Sequence, residues 1–295
     1  MLTARNSEPM SYAKPVMAAH EGELLTDLDI DEIKGLFKQH GALLFRGFSA
    51  GLDQLVEFSD KFCFRYITNP DAARFPISKE EKVKTVNVGM NEFHLHAESS
   101  GNPFGPDICW FYCHKAPASA GETTYCDGEL LASLLSPRIT ELFCTRMLNY
   151  KWAEMPLERL KELLGTESIY LIHKILEQRN LTRHFRVKGT IVETDYTTPA
   201  FTRTRFGDRP AFVNFLLFSR FTRGQYACPT FDNGEIIPDS VCQEIKDLAD
   251  QITVHHQWQD QDLLMLDNSR FMHGRDAVHP FLKREIWTRF GFVKA

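Results

Sequence analysis

Asp262-Leu-Leu-Met-Leu-Asp267-Asn268-Ser-Arg270-Phe-Met-His273-Gly274-Arg275 reads as a short apolar strand, a polar turn, and a histidine a few residues beyond it. The surrounding stretch, 252–295, continues as strand, turn, strand, turn, strand. A second extended block lies far upstream, from Phe93 to Cys113, with Asp107-Ile-Cys-Trp-Phe-Tyr-Cys113 its clearest strand. Between them come helical segments near 129–145 and 156–177 and strands around 182–196 and 210–218. Asp239 is expected to cap a helix whose Val241, Ile245, Leu248 and Ile252 share one face. Strands on both sides of inserted helices predict a single, mainly β domain over 1–295, a barrel or jelly roll decorated by helices.

Further upstream, Ile30-Asp-Glu-Ile33-Lys-Gly-Leu36-Phe37 repeats at helical spacing, and Gly41-Ala-Leu-Leu-Phe45-Arg-Gly-Phe48 is a buried strand bounded by glycines. Leu52, Leu55, Val56 and Ser59 mark a second helix. Residues 1–25 read as a loose N-terminal arm with one short strand. Residues 64–92 carry few periodic apolar positions and several charges, which predicts a long surface loop suited to a lid. The 23 phenylalanines, against 8 tyrosines and 4 tryptophans, suit a sheet-rich core. A net charge of -5 without a basic block argues against nucleic acid and anionic membrane surfaces as partners. Seven irregularly spaced cysteines, with no apolar leader and no bilayer-length apolar run, predict reduced thiols in a soluble cytoplasmic protein.

The chemistry starts at Phe93-His94-Leu95-His96-Ala97-Glu98. Residues two apart on an extended segment point the same way, so His96 and Glu98 can offer an imidazole and a carboxylate to one metal ion. Such a pair is common by chance, and a lone histidine after a turn is commonly a satisfied surface group. With His273, however, the set becomes two histidines and one carboxylate, the facial triad of non-haem Fe(II) oxygenases. No CxxC pair supports structural zinc. Arg284 and Arg289, in the last expected strand, can each grip a carboxylate through two parallel hydrogen bonds, or stand as exposed strand arginines. On a regular strand His94 shares the face of His96, which places it beside the ligands or in a substrate pocket, with a core or surface role equally open.

In these blocks the chain resembles the taurine dioxygenase (TauD/TfdA) superfamily of Fe(II)/2-oxoglutarate enzymes, from Gly41 to the end. The resemblance rests on His96-Ala97-Glu98, Gly121-Glu122-Thr123 and Asp267-Asn268-Ser-Arg-Phe-Met-His273-Gly274-Arg275. Glu in place of Asp is similar to the clavaminate synthase-like and syringomycin-type branches. The resemblance implies a double-stranded β-helix (jelly roll), with Fe(II), O2 and the cosubstrate 2-oxoglutarate. It implies His96, Glu98 and His273 as iron ligands and Thr123 with Arg284 on the cosubstrate carboxylate. The family often shows two arginines four apart; Arg284 and Arg289 are five apart and face opposite sides of a strand that has no bulge. A carboxylate at position 98 implies hydroxylation or desaturation in preference to halogenation. The implied substrate is a small amino-acid-derived metabolite, free or carrier-bound, in natural-product biosynthesis. His94, Trp110 in the aromatic run Trp110-Phe111-Tyr112, Asn214 and Arg275 are the residues named for its pocket, with Phe215 and Phe218 weaker candidates; an aromatic run on a strand is more often core. The alternatives are a cupin-like metal oxygenase without 2-oxoglutarate, a non-catalytic jelly-roll binding protein, and a thiol hydrolase using Cys113 or Cys126. The oligomeric state is not read from the sequence.

Overall fold

A computed structural model describes residues 12–151, 154–279 and 283–294; the start of the expected N-terminal arm lies outside them. The expected alternation of extended segments becomes two facing sheets. The larger has eight strands, in the order Lys14–Met17, Ala42–Arg46, Leu263–Asp267, Ile108–Lys115, Glu285–Val293, Val83–Thr85 and Pro76–Ser78, with Cys63–Ile67 also paired to Glu285–Val293. The smaller has four: Val254–His256, Thr123–Asp127, Phe271–Arg275 and Phe93–His96. This is the jelly-roll core, and it brings the two motif blocks, far apart in the chain, into one sheet.

Strand alternation decides what each sheet buries. Cys109, Phe111 and Cys113 face inward and meet Tyr125, Val254 and Phe271 of the smaller sheet in one cluster. Their neighbours Ile108, Trp110 and Tyr112 face the other way, against Ile33, Phe37, Leu55 and Phe58 of the helices Ile30–His40 and Leu52–Asp60. A strand covered on both faces reads as an unbroken apolar run, which is how Ile108–Lys115 appears in the sequence. Behind the smaller sheet, Leu95, Cys126 and Met272 pack on the helices Gly128–Leu134, Pro137–Thr145 and Asp239–Ile252. Among the described residues no helix is long and apolar enough to cross a membrane.

Several expectations are corrected. Residues 64–92 are not one surface loop: Cys63–Ile67, Pro76–Ser78 and Val83–Thr85 are strands of the larger sheet. They are short, and their half-exposed positions give no clean period of two. The arm is partly fixed as well, since Lys14–Met17 pairs in parallel with Ala42–Arg46 and Leu25 is buried. The strand expected at 210–218 ends at Phe212, and Phe218–Thr222 forms a π-helical turn. Asp239 makes no capping bond; it is the first residue of its helix and pairs with Arg220.

Candidate metal centre and its arginine-walled cavity

His96 and His273 are cross-strand partners in the smaller sheet, with rings 4.6 Å apart. Glu98 follows where the strand Phe93–His96 gives way to a turn, and its Oε2 lies 3.9 Å from His273 Nε2. One ligand atom from each of the three falls within 4.8 Å of the others, and all three residues are buried. Glu98 Oε2 and both ring nitrogens of His273 lack a hydrogen-bond partner. Orphaned buried polar atoms carry a large desolvation penalty, so their convergence fits a cation among them.

The surroundings prepare each group. His96 Nδ1 lies 2.9 Å from the His94 carbonyl, so it donates there and leaves Nε2 with its lone pair. Burial pushes the His96 imidazole below its ordinary pKa, against the opposing pull of Glu98. Burial, with help from His96 and Arg74, pushes His273 well below. Both rings are therefore neutral, the form that binds a metal. Glu98 Oε1 accepts from Asn69 Nδ2 at 3.0 Å and from Ser99 at 3.3 Å. Its backbone is clamped by Asn268, which accepts from Glu98 N at 2.7 Å and donates to Glu98 O at 3.0 Å. Phe111, Phe215 and Phe218 shield the imidazoles with ring centroids 4.5–5.4 Å away.

The two histidines open onto a cavity whose walls include Arg74, Thr123, Arg275 and Arg284. Arg284 Nε donates to Gly121 O at 2.7 Å, and Nη2 reaches Thr123 Oγ1 at 3.4 Å. Gly121 stands at φ +74°, and a Cβ there would come within 3.1 Å of the Arg284 side chain. Thr123 Oγ1 also accepts from Trp258 Nε1 at 3.1 Å. With both lone pairs occupied, the hydroxyl keeps its proton as a donor for a carboxylate. Burial, with Arg275 nearby, lowers the Arg284 pKa to about 9, and burial lowers that of Arg275 to about 10. Cations held at such a penalty fit an anion between them.

Other named residues lie elsewhere. Arg289 faces the helical side of the larger sheet, buried among Ser59, Asp60 and Glu81 with its guanidinium 3.5 Å from the Tyr66 ring centre. It is not a cavity residue; the odd spacing from Arg284 put it on the opposite face. Trp110 points the same way and packs on Phe58 and Phe62, while its neighbour Phe111 faces the metal centre. His94 leaves the face of His96 because the register shifts: His273 pairs with His96, but Arg275 pairs with Phe93. His94 turns instead to Glu92, Thr222 and Phe221. Asn214 is buried and spends its side chain on Ala200 O and Leu216 N, so it shapes a turn. Arg275 lines the cavity, yet both terminal nitrogens are taken by the carbonyls of Asn87, Gly89 and Asn91. The Cys113 and Cys126 thiols are buried and raised in pKa, Cys113 to about 12, so neither offers a thiolate nucleophile. Asn69 and Arg74 escaped the sequence reading because they sit in a segment without periodicity.

Fold and site together define the class: a jelly roll that presents two imidazoles and one carboxylate beside a cationic cavity is the scaffold of a mononuclear non-haem oxygenase. The chain belongs to the taurine catabolism dioxygenase TauD, TfdA family, whose model matches residues 8–289. It is therefore an oxidoreductase of the Fe(II)- and 2-oxoglutarate-dependent dioxygenase class, acting on a small molecule. The dapdiamide synthesis protein DdaC of Enterobacter agglomerans is 24% identical over 287 residues, covering 85% of this chain and 84% of its own. Among solved structures, PvcB of Pseudomonas aeruginosa matches with TM-score 0.62 and 17% identity, over 94% of this chain and 84% of that one. A taurine dioxygenase from Burkholderia xenovorans matches with TM-score 0.63 and 12% identity, over 97% and 88%.

Proposed function

We propose that the chain is one oxygenase domain that hydroxylates or desaturates a small, amino-acid-derived metabolite in natural-product synthesis, with iron held by His96, Glu98 and His273. The observation that carries this reading is the convergence of the unpaired buried atoms of Glu98 and His273 with the His96 imidazole beside an arginine-walled cavity. In it, Thr123 and Arg284 receive the distal carboxylate of 2-oxoglutarate, the hydroxyl donating one hydrogen bond and the guanidinium the charge-assisted one. When bound, iron, 2-oxoglutarate and O2 would supply the oxidising chemistry, one oxygen atom of O2 going into succinate as CO2 is released. Asn69 and Asn268 hold Glu98 in place, and the three phenylalanines keep water from the imidazoles. Arg74, Val86 and Asn87, in the connections beside the short strands of 64–92, form the outer wall of the cavity, and this part of the segment serves as the lid. The biosynthetic setting is argued by likeness to a dapdiamide synthesis protein and to an oxygenase of an isonitrile synthetic pathway.

The test is anaerobic. Adding Fe(II) and 2-oxoglutarate to the apoprotein should give the weak visible charge-transfer band of a chelated keto acid, and His273→Ala should abolish it. A folded parent that takes up iron without forming the band would sink the assignment of the cavity to 2-oxoglutarate.

A further inference from the structure

Three guanidinium groups, Arg74, Arg275 and Arg284, line the cavity beside the metal-site histidines. Their hydrogen-bond partners are all neutral. Arg284 uses Gly121 O and Thr123, Arg275 uses three backbone carbonyls, and Arg74 uses the Thr288 hydroxyl. The lining itself holds no carboxylate: Glu98 belongs to the metal site, and Asp71 and Glu122 stand outside the lining, near Arg74 and Arg284. A divalent metal would add two positive charges and a 2-oxo diacid would remove two, so the three guanidinium groups of the lining would stay as they are. A lining with three guanidinium groups and no carboxylate is suited to take a second anion besides the diacid.

Arg74 is placed to receive it. It comes from the outer wall, five residues after Asn69, whose amide holds Glu98 Oε1 at 3.0 Å. It reaches across the Phe290 ring, 5.7 Å from its centre, to Thr288 Oγ1 on the inward face of the larger sheet. That contact is long, 3.4 Å, and the Thr288 hydroxyl already donates to Lys84 O at 3.2 Å. Arg74 Nε is buried with no partner at all. Arg284 is committed to the Thr123 end, and Arg275 has spent its terminal nitrogens on the 87–91 loop. Arg74 alone of the three keeps both a free Nε and a weakly held terminal edge.

We propose that Arg74 is the specificity-determining residue of the substrate site, and that the substrate carries a carboxylate which Arg74 receives while Arg284 holds 2-oxoglutarate. The assignment rests on the oxygenase reading and deepens it. It also gives the lid a function: the wall that steadies Glu98 brings in the group that recognises substrate.

The probes are bromide and 2-oxoglutarate, used on the parent, Arg74→Gln, Arg74→Lys and Arg284→Gln with redox-inert Mn(II) bound. Crystals of the parent Mn(II)·2-oxoglutarate complex soaked in sodium bromide should show anomalous density beside Arg74. The density should vanish in Arg74→Gln and persist in Arg74→Lys. The 2-oxoglutarate Kd should stay within about threefold in Arg74→Gln and rise at least about tenfold in Arg284→Gln. No bromide at Arg74 in the parent would overturn the proposal, as would an Arg74→Gln that weakens 2-oxoglutarate as much as Arg284→Gln does. A parent that binds bromide at Arg74 but no 2-oxoglutarate refutes the cosubstrate reading instead, which separates the two failures. With bromide placed, matched amino-acid carboxylates and carboxamides are compared for succinate release. The acids should be preferred by the parent and the preference lost in Arg74→Gln.

Discussion

Replacing Arg284 and Arg289 separately by glutamine separates binding from stability, because the two arginines lie on opposite faces of one sheet. Arg284 presents a charged fork beside Thr123 at the metal side. A hydrogen bond to a charged group contributes about 1.5–3 kcal/mol, and a neutral amide forfeits most of it. Losing about 3 kcal/mol corresponds to a rise of about 100-fold in the 2-oxoglutarate Kd. The apoprotein should not suffer, since burial already disfavours this charge enough to lower its pKa to about 9. Arg289 is 3% exposed and serves five acceptors: Val56 O, Ser59 Oγ, Asp60 Oδ1, Glu81 O and the Glu81 carboxylate. Breaking a buried ion pair costs about 3–5 kcal/mol. Asp60 and Glu81 are half exposed and can be rehydrated, so the lower end applies, about 3 kcal/mol. With a urea m-value of about 3 kcal/mol per molar, the midpoint falls by about 1 M. The assays are anaerobic 2-oxoglutarate titration and urea unfolding of both variants. An Arg289→Gln that weakens 2-oxoglutarate tenfold at unchanged stability would refute the placement of the two side chains.

Trp110→Ala should cost about 3–5 kcal/mol by opening a hole against Phe58 and Phe62. Its Mn(II) and 2-oxoglutarate affinities should stay within about twofold, measured by titration below the new unfolding midpoint, because the side chain faces away from the cavity. The Asp262 carboxyl is held below its ordinary pKa: burial works to raise it, but hydrogen bonds from Arg46 and Gln259 N, with the His256 ring 3.5 Å away, outweigh burial. A depressed native pKa gives stability that is present above the unfolded value, near 3.9, and lost as pH falls through the native one. Asp262→Asn should therefore be less stable than the parent at pH 7 and converge on it in acid, as read from unfolding midpoints across that range.

The sequence showed the strands that carry the metal residues and left hidden the geometry that sorts their neighbours. His96, Glu98 and His273 were legible because a period of two and a strand-turn-histidine block are local patterns. Which side of Ile108–Lys115 faces the smaller sheet depends on pairing with Leu263–Asp267 and Glu285–Val293 from the far end of the chain. A run apolar on both faces gives no hint, so Trp110-Phe111-Tyr112 was offered as a run with Trp110 put first, and only Phe111 meets His273. The bulge between Phe93 and His96 moved His94 off the expected face, and a one-residue register shift leaves no mark in composition. Arg74 was invisible for another reason. Its segment alternates short edge strands with turns built by Asn69 and Asp71 on their own backbone, and a turn does not announce where its next long side chain reaches.

Asn268 joins these local facts into one site. It sits in the turn between Leu263–Asp267 of the larger sheet and Phe271–Arg275 of the smaller, so it is tied through the chain to His273. Its Oδ1 accepts from Glu98 N, and its Nδ2 donates to Glu98 O and to Pro106 O at 2.9 Å. One buried amide thus fixes the loop carrying Glu98 relative to the strand carrying His273. Asn268→Asp keeps the shape and one acceptor but removes the donors from two buried carbonyls and sets a carboxylate against them. Each lost donor leaves about 1–3 kcal/mol of unpaired polar group, so unfolding stability should fall by about 2–6 kcal/mol. Supporting partners of metal ligands typically change metal affinity by about 10–100-fold, and the Mn(II) Kd should rise in that range. Trp110→Ala, destabilised to a similar degree at a distant place, is the control. If both variants hold Mn(II) equally well, Asn268 is only a folding residue and the clamp on Glu98 has no part in binding the metal.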